Sequence, residues 1–433
     1  MKALKRIAIG AVVVVAVVVA AAWFWLPTIN VPLPEALASR LPDWFAMPRA
    51  DAATVNPRLI VPDGYEITLF ARDLPEARML RVTASDDLLV VSAASGRVYW
   101  LSSDDDGDGR SDERRVLLDG LDGPNGLDLW HEYLYIAERG QIGRVRFDDA
   151  NGRIEGSYEV VISNLPKTGS HWRKTIRFSP DGFLYLTIGS SCNACLEDDE
   201  RRAAMLRFMP DGQFVDIFAT GLRNSAGFDW RGDGTLFATD NGRDLLGDDF
   251  PPCELDLIEE GGFYGWPFAN GARVPDPDLG GGRDAVITAS IPPVFDFRAH
   301  NAPLGMVFLK SERQTAEFRN AALVALHGSW NRSRKDGYKV VALHWDADGA
   351  IRSSDFVTGF LVDEHVIGRP AELAEDSGGQ IYVSDDYANA IYRIAPVGLA
   401  TVDVGTGPGA TIAPSGVAAE TANARTLRGA AGA

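Results

Sequence analysis

His171 is one of only six histidines in the chain, and it lies beside Arg173 and Lys174 in the segment GSHWRKTIRF. An imidazole has an unperturbed pKa of about 6.5, so it can accept a hydroxyl proton near neutral pH and act as a general base. A histidine taken alone more often makes a structural hydrogen bond. Polar residues that converge on His171 from other parts of the chain would favour the catalytic role.

Arginine and asparagine residues recur in the connections between the apolar segments. A guanidinium group binds a planar carboxylate through two parallel hydrogen bonds, and an arginine buried among hydrophobic strands is costly without a partner. Several of them converging in an acidic protein predict a site for a small polyanion. For Arg223 and Asn224, turn capping and salt bridges between repeats are the structural alternatives. The candidates are Arg78, Arg223, Asn224, Gly242, Arg243, Asn331, Arg332 and Arg369.

The acidic segment SSDDDGDGRSDE is a second candidate site. Its aspartates alternate along the chain and are followed by a glycine that permits a sharp bend, which is typical of a calcium-binding loop. Arg115 stands where such a loop has its last glutamate, and no helical pattern flanks the segment. A solvated acidic turn is the alternative to a structural calcium site. The candidate ligands are Asp104, Asp106, Asp108 and Asp112.

Two of the three cysteines, Cys192 and Cys195, form a CxxC motif in the segment SSCNAC. In an oxidising compartment this spacing predicts a local disulfide that closes a loop. A zinc ribbon would need a second CxxC pair, and a redox dithiol would need a thioredoxin-like pattern around it. Cys253 has no evident partner and is expected to be a buried, unreactive thiol.

A repeated unit positions these residues: an apolar strand, a polar turn, an aromatic-containing strand and another turn. Turn dipeptides such as Asp181-Gly182 and Asp233-Gly234 lie between short β-rich segments. Repetition at about 45–60 residues, with four strands per copy, indicates propeller blades rather than a sandwich. Six copies predict an all-β protein, a six-bladed β-propeller at residues 58–396. Closure of the ring would pair YEITLFA, residues 65–71, with the strand that ends in IYRI.

The N-terminal 26 residues predict a membrane anchor or signal. Lys2, Lys5 and Arg6 precede an apolar run at residues 7–26, which is about the 20 residues that span a bilayer. An uncleaved transmembrane helix is the favoured interpretation, with cleavage after the Ala20-Ala21-Ala22 stretch as the alternative. The basic flank would stay in the cytoplasm, so the body would be exported to the periplasmic side and anchored in the inner membrane.

The chain ends and the overall charge complete the domain organisation. Residues 27–57 are expected to be a linker, and residues 397–433 a low-complexity, disordered tail, because small residues bury too little apolar surface to offset the entropy of ordering. The formal net charge of −18 argues against a nucleic-acid partner, which requires a dense positive surface.

Seven segments in a fixed order resemble the soluble quinoprotein sugar dehydrogenases, and especially their L-sorbosone dehydrogenase-like branch. The resemblance spans about residues 58–396 and implies a six-bladed propeller that uses pyrroloquinoline quinone (PQQ) with calcium. The segments are VPDGYEITLFARDL, GSHWRKTIRFSPDGFLYLTIGSSCNAC, ATGLRNSAGFDW, DNGRDLLGDDFPPCELDLIEEGGFYGWP, APLGMVFL, GSWNRSRKDGYKVV and GRPAELAEDSGGQIYV.

The resemblance assigns roles to individual residues. It implies that His171 is the catalytic base and that Arg223 and Asn224 lie beside the cofactor. Gly242 and Arg243 match the turn whose backbone carbonyls bind the catalytic calcium, and carbonyl oxygens are suitable ligands for this hard cation.

The sequence departs from the family pattern at two cofactor positions. Asn331 lies near the place of a cofactor-binding lysine in better-known members. Arg369 matches the first arginine of a Gly-Arg-x-Arg motif, but Ala371 replaces the second. Arg78 or Lys174 is the candidate to supply the missing charge.

These roles imply a dehydrogenase that oxidises the C1 hydroxyl of an aldose, or the hydrate of an aldehyde, by hydride transfer to PQQ. The electrons would pass to a membrane or soluble acceptor. One alternative is a propeller hydrolase of the gluconolactonase type, with a central metal held by residues such as Glu138 and Asp240. Another is a non-catalytic propeller that serves as an interaction platform.

Overall fold

A computed structural model describes residues 57–397 of the chain. The predicted N-terminal helix at residues 1–26 lies outside the described residues, as do the predicted linker and tail apart from residues 57 and 397. Within residues 57–397, no helix is both long enough and apolar enough to cross a membrane.

Blades 1 to 3 are antiparallel sheets built from consecutive strands, which follow strand β1 at Tyr65–Arg72. Blade 1 consists of β2 Ala77–Val82, β3 Leu88–Ser92, β4 Arg97–Leu101 and β5 Arg114–Leu118. Blade 2 consists of β6 Gly126–Trp130, β7 Tyr133–Ala137, β8 Ile142–Asp148 and β9 Arg153–Ile162. Blade 3 consists of β10 Lys174–Phe178, β11 Leu184–Ile188, β12 Ala204–Phe208 and β13 Phe214–Thr220, with the short parallel strand β17 Gly262–Phe263 at its edge.

Blades 4 to 6 complete the ring. Blade 4 consists of β14 Ser225–Trp230, β15 Leu236–Asp240, β16 Cys253–Leu257 and, after an insertion, β20 Phe295–Phe297. Blade 5 consists of β21 Pro303–Phe308, β22 Ala322–Leu326, β23 Lys339–Trp345 and β24 Ile351–Val357. Blade 6 consists of β27 Pro370–Glu375, β28 Ile381–Asp385, β29 Ala390–Pro396 and β1. The prediction of an all-β, six-bladed propeller is confirmed.

A few short elements decorate the blades. Two hairpins are formed by β18 Ala269–Asn270 with β19 Val274–Pro275 and by β25 Leu361–Val362 with β26 His365–Val366. The helix α1 spans Asp284–Ala289, and a 3₁₀ turn spans Asp149–Asn151.

The ring is closed by the strand that the sequence predicted. Strand β1 pairs antiparallel with β29, so that Tyr65 lies opposite Pro396 and Arg72 opposite Ala390. The side chain of Phe70 packs edge-on against Tyr382 of blade 6, with ring centroids 4.9 Å apart. Strand β1 therefore completes the last blade and joins the two ends of the ring.

Apolar clusters fill the spaces between adjacent blades. Leu89 of blade 1 shares a cluster with Ile136 of blade 2, and Leu80 of blade 1 shares another with Tyr382 of blade 6. Further clusters join blades 2 with 3, 3 with 4, 4 with 5 and 5 with 6. Each blade thus buries its faces against its two neighbours, which is why the repeat requires a closed ring.

The innermost strands carry a network of buried charges. These strands are β2, β6, β10, β14, β21 and β27, which pack against one another around the central axis. Arg81 Nε lies 2.9 Å from Asp128 Oδ1, and the Arg177 guanidinium lies 3.3 Å from both Asp229 and Glu372. Asp128 and Asp229 also accept hydrogen bonds from inner-strand amides of the next blade. The network therefore joins blades by charge as well as by apolar packing.

We expect Arg177→Ala to lower the free energy of unfolding by about 3–5 kcal/mol, because Asp229 and Glu372 would remain as buried, uncompensated carboxylates. Urea unfolding followed by far-UV circular dichroism measures this change. The matched control is Arg352→Ala, which breaks an exposed pair with Asp346 and should cost less than about 1 kcal/mol. Equal losses in the two variants would contradict a structural role for the network.

Candidate functional site

A polar cavity lies at one mouth of the propeller axis, and all six blades contribute to it. It encloses about 570 Å³ of space that opens to solvent. Its wall is formed where the loops enter the innermost strands, so equivalent positions of the repeat converge there. The residues that line it include Arg78, Asn125, His171, Arg173, Asn224 and Ser225.

His171 lies in this wall and is held through one ring nitrogen. Its Nδ1 is 2.8 Å from Ser190 Oγ and 3.1 Å from the Ser190 carbonyl oxygen. The backbone amide of His171 donates to the same carbonyl at 3.2 Å. Ser190 follows β11, the second strand of blade 3, whereas His171 precedes β10, the first strand of that blade. The hydrogen bond between them therefore links two loops of the same blade.

Burial lowers the pKa of His171 to about 4, and the positive charge of Arg223 acts in the same direction. The hydrogen bond with the Ser190 backbone and the Asp244 carboxylate oppose this shift, while Arg202 adds to it. The imidazole is therefore neutral at neutral pH and retains a lone pair that can accept a proton.

Gly189 allows His171 and Asn224 to come together. A Cβ atom at residue 189 would lie 2.5 Å from His171 Cβ and 2.7 Å from Asn224 Oδ1. No side chain fits in this space, because real Cβ atoms do not approach other atoms so closely. The glycine that follows β11 thus lets the candidate base and the candidate cofactor ligand both pack against its Cα atom.

Asn224 lies in a turn that is organised by a buried carboxylate. Asp240 accepts hydrogen bonds from the backbone amides of Arg223 at 2.7 Å, Asn224 at 2.6 Å and Asn241 at 2.9 Å. Burial raises the pKa of Asp240 to about 7, although these hydrogen bonds oppose the shift. The Asn241 side chain donates to the Asn224 carbonyl at 3.1 Å. Gly242, a predicted calcium ligand, is the next residue in the chain after Asn241.

The side chains of Lys174 and Arg223, both predicted to lie near a cofactor, donate hydrogen bonds to backbone carbonyls. Lys174 Nζ donates to the carbonyls of Arg139 at 2.6 Å, Pro166 at 2.8 Å and Trp172 at 2.9 Å, which uses all three of its hydrogens. Burial lowers the pKa of Lys174 to about 7. Neither side chain lines the cavity.

Arg223, Arg243 and Arg369 brace loops around the cavity. Arg223 donates to the carbonyls of Asn193 at 2.9 Å and Asn241 at 3.0 Å and pairs with Asp244 at 3.2 Å. Arg369 donates to the carbonyls of His327 and Gly328. The side chain of Arg243 pairs with Asp276 and Asp278, which leaves its backbone carbonyl as the atom relevant to the predicted metal site.

Asn331 is buried away from the cavity wall, and its Nδ2 has no hydrogen-bond partner among the described residues. Of the predicted cofactor residues, the structure therefore brings Arg78 and Asn224 into the cavity with His171 and places Lys174, Arg223, Asn331 and Arg369 outside it. The position of a residue in the repeat does not show whether its side chain will donate to nearby backbone carbonyls or remain available to a ligand.

Several lining residues were not among the predicted site residues. The Asn125 Oδ1 and Ser225 Oγ atoms are buried and have no hydrogen-bond partner among the described residues. Arg78 pairs with Asp386, and Arg173 pairs with Glu76. The two guanidinium groups and the Ser225 hydroxyl can donate to the carboxylate and carbonyl oxygens of a ligand, which PQQ has, while Asn125 Oδ1 can accept from a ligand N–H or O–H group. Asn125, Arg173 and Ser225 each lie just before or within the first strand of a blade, and this position in the repeat could have predicted that they line the cavity.

Glu138 and Asp240, the two carboxylates considered for the metal of the alternative hydrolase, lie in different blades and have different partners. Glu138 in blade 2 accepts hydrogen bonds from Asp122 N at 2.7 Å, Gln141 Nε2 at 2.6 Å and Tyr158 Oη at 2.9 Å. Asp240 in blade 4 instead lies in a buried group with Glu254 and Asp256, whose pKa values are raised by burial. The two carboxylates proposed for one central metal therefore belong to separate environments.

The acidic loop of blade 1 brings together three of its four predicted ligands. Asp104, Asp106 and Asp108 each place a carboxylate oxygen within 4.8 Å of the others. One oxygen of Asp104 accepts from Arg393 and from Gly109 N, and the other is buried without a hydrogen-bond partner among the described residues. Asp112 accepts from the amide of Asp105, at 2.8 Å.

The prediction of a Cys192–Cys195 disulfide is confirmed. It closes the loop that follows β11, next to Ser190. Cys253 is buried and unpaired, and burial raises the pKa of its thiol to about 11. An uncharged, inaccessible thiol is unreactive, as the sequence predicted.

The fold and the cavity together define a six-bladed propeller with a polar site at the mouth of its axis. Residues 131–392 match the model of the Glucose / Sorbosone dehydrogenase family, which is more than half of the chain, so the chain belongs to this family. The family resemblance inferred from the ordered motifs is confirmed. Members of this family are sugar dehydrogenases, which are oxidoreductases.

Individual proteins are similar to this chain in sequence or in fold. An uncharacterised protein of Borreliella burgdorferi is 29% identical over 360 residues, covering 79% of this chain and 92% of that protein. The calcium structure of a Trichoderma reesei protein of Carbohydrate-Active Enzymes Family AA12 has a TM-score of 0.69 at 19% identity, covering 79% of this chain and 98% of that one. The holo form of the pyranose dehydrogenase PQQ domain from Coprinopsis cinerea has a TM-score of 0.67 at 20% identity, covering 80% and 98%.

Proposed function

We propose that the protein is a PQQ-dependent dehydrogenase that oxidises an aldose, or the hydrate of a related aldehyde, with His171 as the general base. The observation that carries the proposal is a partly buried, neutral imidazole in a cavity that all six blades build and that Asn224 also lines. Family membership supports the reaction class, and the structural neighbour from Coprinopsis cinerea is a PQQ domain.

The cavity residues would hold the cofactor through complementary charge and hydrogen bonds. Arg78 and Arg173 would donate to carboxylates, Asn224 and Ser225 would bind carbonyl or ring atoms, and Asn125 Oδ1 would accept from an N–H or O–H group of the ligand. The backbone carbonyls of Gly242 and Arg243 are the proposed calcium ligands. When bound, PQQ supplies a hydride acceptor, and calcium on its oxygens supplies Lewis-acid polarisation.

His171 performs the proton transfer in this proposal. Its neutral ring accepts the proton of the substrate hydroxyl as the C–H bond breaks and the hydrogen leaves with its electron pair. The substrate thereby loses one proton and one hydride, and a carbon–oxygen double bond forms. An aldose oxidised at C1 would give a lactone. Because the imidazole is neutral well below pH 7, it needs no prior deprotonation.

Reconstitution tests the proposed function directly. Purified apoprotein is mixed with PQQ and calcium, and we expect a change in the quinone absorbance together with dye reduction on a panel of aldoses. The family of sugar dehydrogenases predicts activity on at least one member of the panel. Absence of both signals would instead favour a propeller that serves as an interaction platform.

We further propose that the body is exported to the periplasmic side and held at the inner membrane by residues 1–26. The support is the basic flank and the apolar run of the sequence. Fractionation of cells that express the full chain, followed by protease treatment of spheroplasts, tests this. A body that is protected from protease in intact spheroplasts would contradict the proposal.

We propose a structural calcium ion in the acidic loop, and a double variant tests it. A chelator should lower the Tm of the parent protein more than that of Asp106→Ala/Asp108→Ala, because a ligand at 100 times its Kd contributes about 2.7 kcal/mol. Calorimetry with and without chelator measures the difference. Asp105→Ala is the control, since Asp105 lies in the same loop but outside the alternating set. Equal chelator effects on parent and double variant would rule the site out.

A further inference from the structure

The two groups that face His171 Nδ1 both belong to Ser190. The carbonyl oxygen, at 3.1 Å, can only accept a hydrogen bond. The hydroxyl oxygen, at 2.8 Å, can donate one hydrogen or accept. The direction of the second contact therefore depends on where the hydroxyl hydrogen of Ser190 points.

That hydrogen has another acceptor. Ser190 Oγ lies 2.7 Å from the carbonyl oxygen of Cys192, and this carbonyl has no hydrogen of its own to give. The hydroxyl must donate to Cys192 and can only accept from His171. The Nδ1 atom of His171 therefore carries the proton, and Nε2 carries the lone pair. In water a neutral histidine side chain prefers the opposite arrangement, so the protein has to enforce this one.

The Cys192 carbonyl is held in place by its own loop. The Cys192–Cys195 disulfide closes that loop, and Glu197 accepts a hydrogen bond from the Ser191 amide at 2.6 Å. Ser190 is fully buried, and its amide donates to the Arg223 carbonyl at 2.8 Å. The chain of hydrogen bonds from His171 to Cys192 thus ends on a covalently restrained segment.

We propose that Ser190 is a positioning residue which, through the disulfide-closed loop, fixes His171 as the Nδ1–H tautomer and so makes Nε2 the atom that accepts the substrate proton. This inference rests on the proposed function of His171 as the base. Ser190 does not line the cavity, so it acts only through His171.

The Ser190 side chain carries no charge, and this affects the pKa of His171. A carboxylate in its place would stabilise the imidazolium and raise the pKa of His171, whereas a hydroxyl has no charge to do so. The other charged groups that face His171 are Arg223 and Arg202, which lower its pKa, and Asp244, which raises it. The pKa of His171 accordingly stays low, and the base remains neutral in mildly acidic solution.

Histidine nitrogen NMR on the cofactor-free protein tests the tautomer without requiring catalysis. Protein labelled with ¹⁵N-histidine is compared at pH 7 for the parent, Ser190→Ala and Ser191→Ala, and His171→Gln identifies the resonance. We expect Nδ1–H in the parent and in Ser191→Ala, and a shift toward Nε2–H in Ser190→Ala. A parent protein in the Nε2–H form, or an unchanged tautomer in Ser190→Ala, would overturn the inference.

Kinetics of the reconstituted enzyme then measure what the tautomer contributes. Ser190→Ala should lower kcat by about 3- to 10-fold, the effect of one hydrogen bond, and leave KM unchanged. Ser191→Ala, whose hydroxyl does not contact His171, should keep the parent kcat. If Ser190→Ala changes KM alone, the residue shapes the pocket and does not position the base.

The disulfide is tested by Cys192→Ala/Cys195→Ala, for which the NMR spectrum should show the same loss of the Nδ1–H preference. Persistence of Nδ1–H in this double variant would remove the disulfide from the proposal. If the NMR results hold but no preparation reduces dye, the positioning geometry is correct and the proposed function is wrong. The two failures are thereby distinguished.

Discussion

Replacement of His171 by Gln is expected to reduce kcat by about 10²- to 10⁴-fold, which is the usual contribution of a general base. Glutamine is similar in size and polarity but cannot accept a proton at neutral pH. The uptake of PQQ should change little, because Arg78, Asn125 and Ser225 remain in the cavity. Single-turnover reduction of the bound quinone by an aldose measures the loss in the chemical step.

The pH dependence of the parent enzyme supplies a second readout for His171. Because burial lowers the pKa of His171 to about 4, kcat/KM should stay level as the pH falls from 7 and decline only near pH 4, where the ring becomes protonated. In His171→Gln this acidic limb should be missing. The control is His365→Gln, which replaces an exposed histidine and should retain the parent rate and profile. An unchanged kcat in His171→Gln would remove this residue from the mechanism.

Gly189→Ala is expected to lower kcat by about 100-fold, the usual effect of misplacing a catalytic group by about 1 Å. The added methyl group would lie 2.5 Å from His171 Cβ and 2.7 Å from Asn224 Oδ1, so at least one of them must move. The effect should appear in the rate of the chemical step and in the affinity for PQQ, since both a candidate base and a candidate cofactor ligand are displaced. Stopped-flow reduction and a PQQ titration measure the two.

Gly232→Ala is the matched control for Gly189→Ala. Gly232 lies in the turn between β14 and β15, and a Cβ there would meet no atom within 4 Å. It should leave kcat and PQQ affinity at parent values. Retention of the parent kcat in Gly189→Ala would mean that the packing of His171 and Asn224 against Gly189 does not set the catalytic geometry.

The architecture could be predicted from the sequence because it depends on local patterns. Short apolar strands separated by turns such as Asp181-Gly182 recur along the chain, and such a repeat can bury its faces only in a closed ring. Even the pairing of β1 with β29 followed from this requirement, since the last blade lacked one strand. The disulfide between Cys192 and Cys195 was predictable for the same reason, because three residues of separation permit few other partners.

The candidate site could be predicted only in part. His171, Asn224 and Arg78 converge as expected, since equivalent positions of the repeat meet at the mouth of the axis. Lys174 and Arg369 have the same kind of position but donate to backbone carbonyls. Whether a buried cation meets a ligand or a carbonyl depends on loop conformation, which the sequence repeat does not encode.

The sequence by itself determined the blade repeat, the closure of the ring, the family and the identity of the one histidine whose surroundings suggest catalysis. Tertiary structure alone decided that Ser190, from the end of another strand, holds Nδ1 of that histidine, and that Gly189 leaves room for Asn224 beside it. The physical reason is the sequence separation of the interacting residues. Strand and turn patterns arise from interactions between near neighbours, whereas the protonation and placement of a buried imidazole depend on atoms that only folding brings within hydrogen-bonding distance.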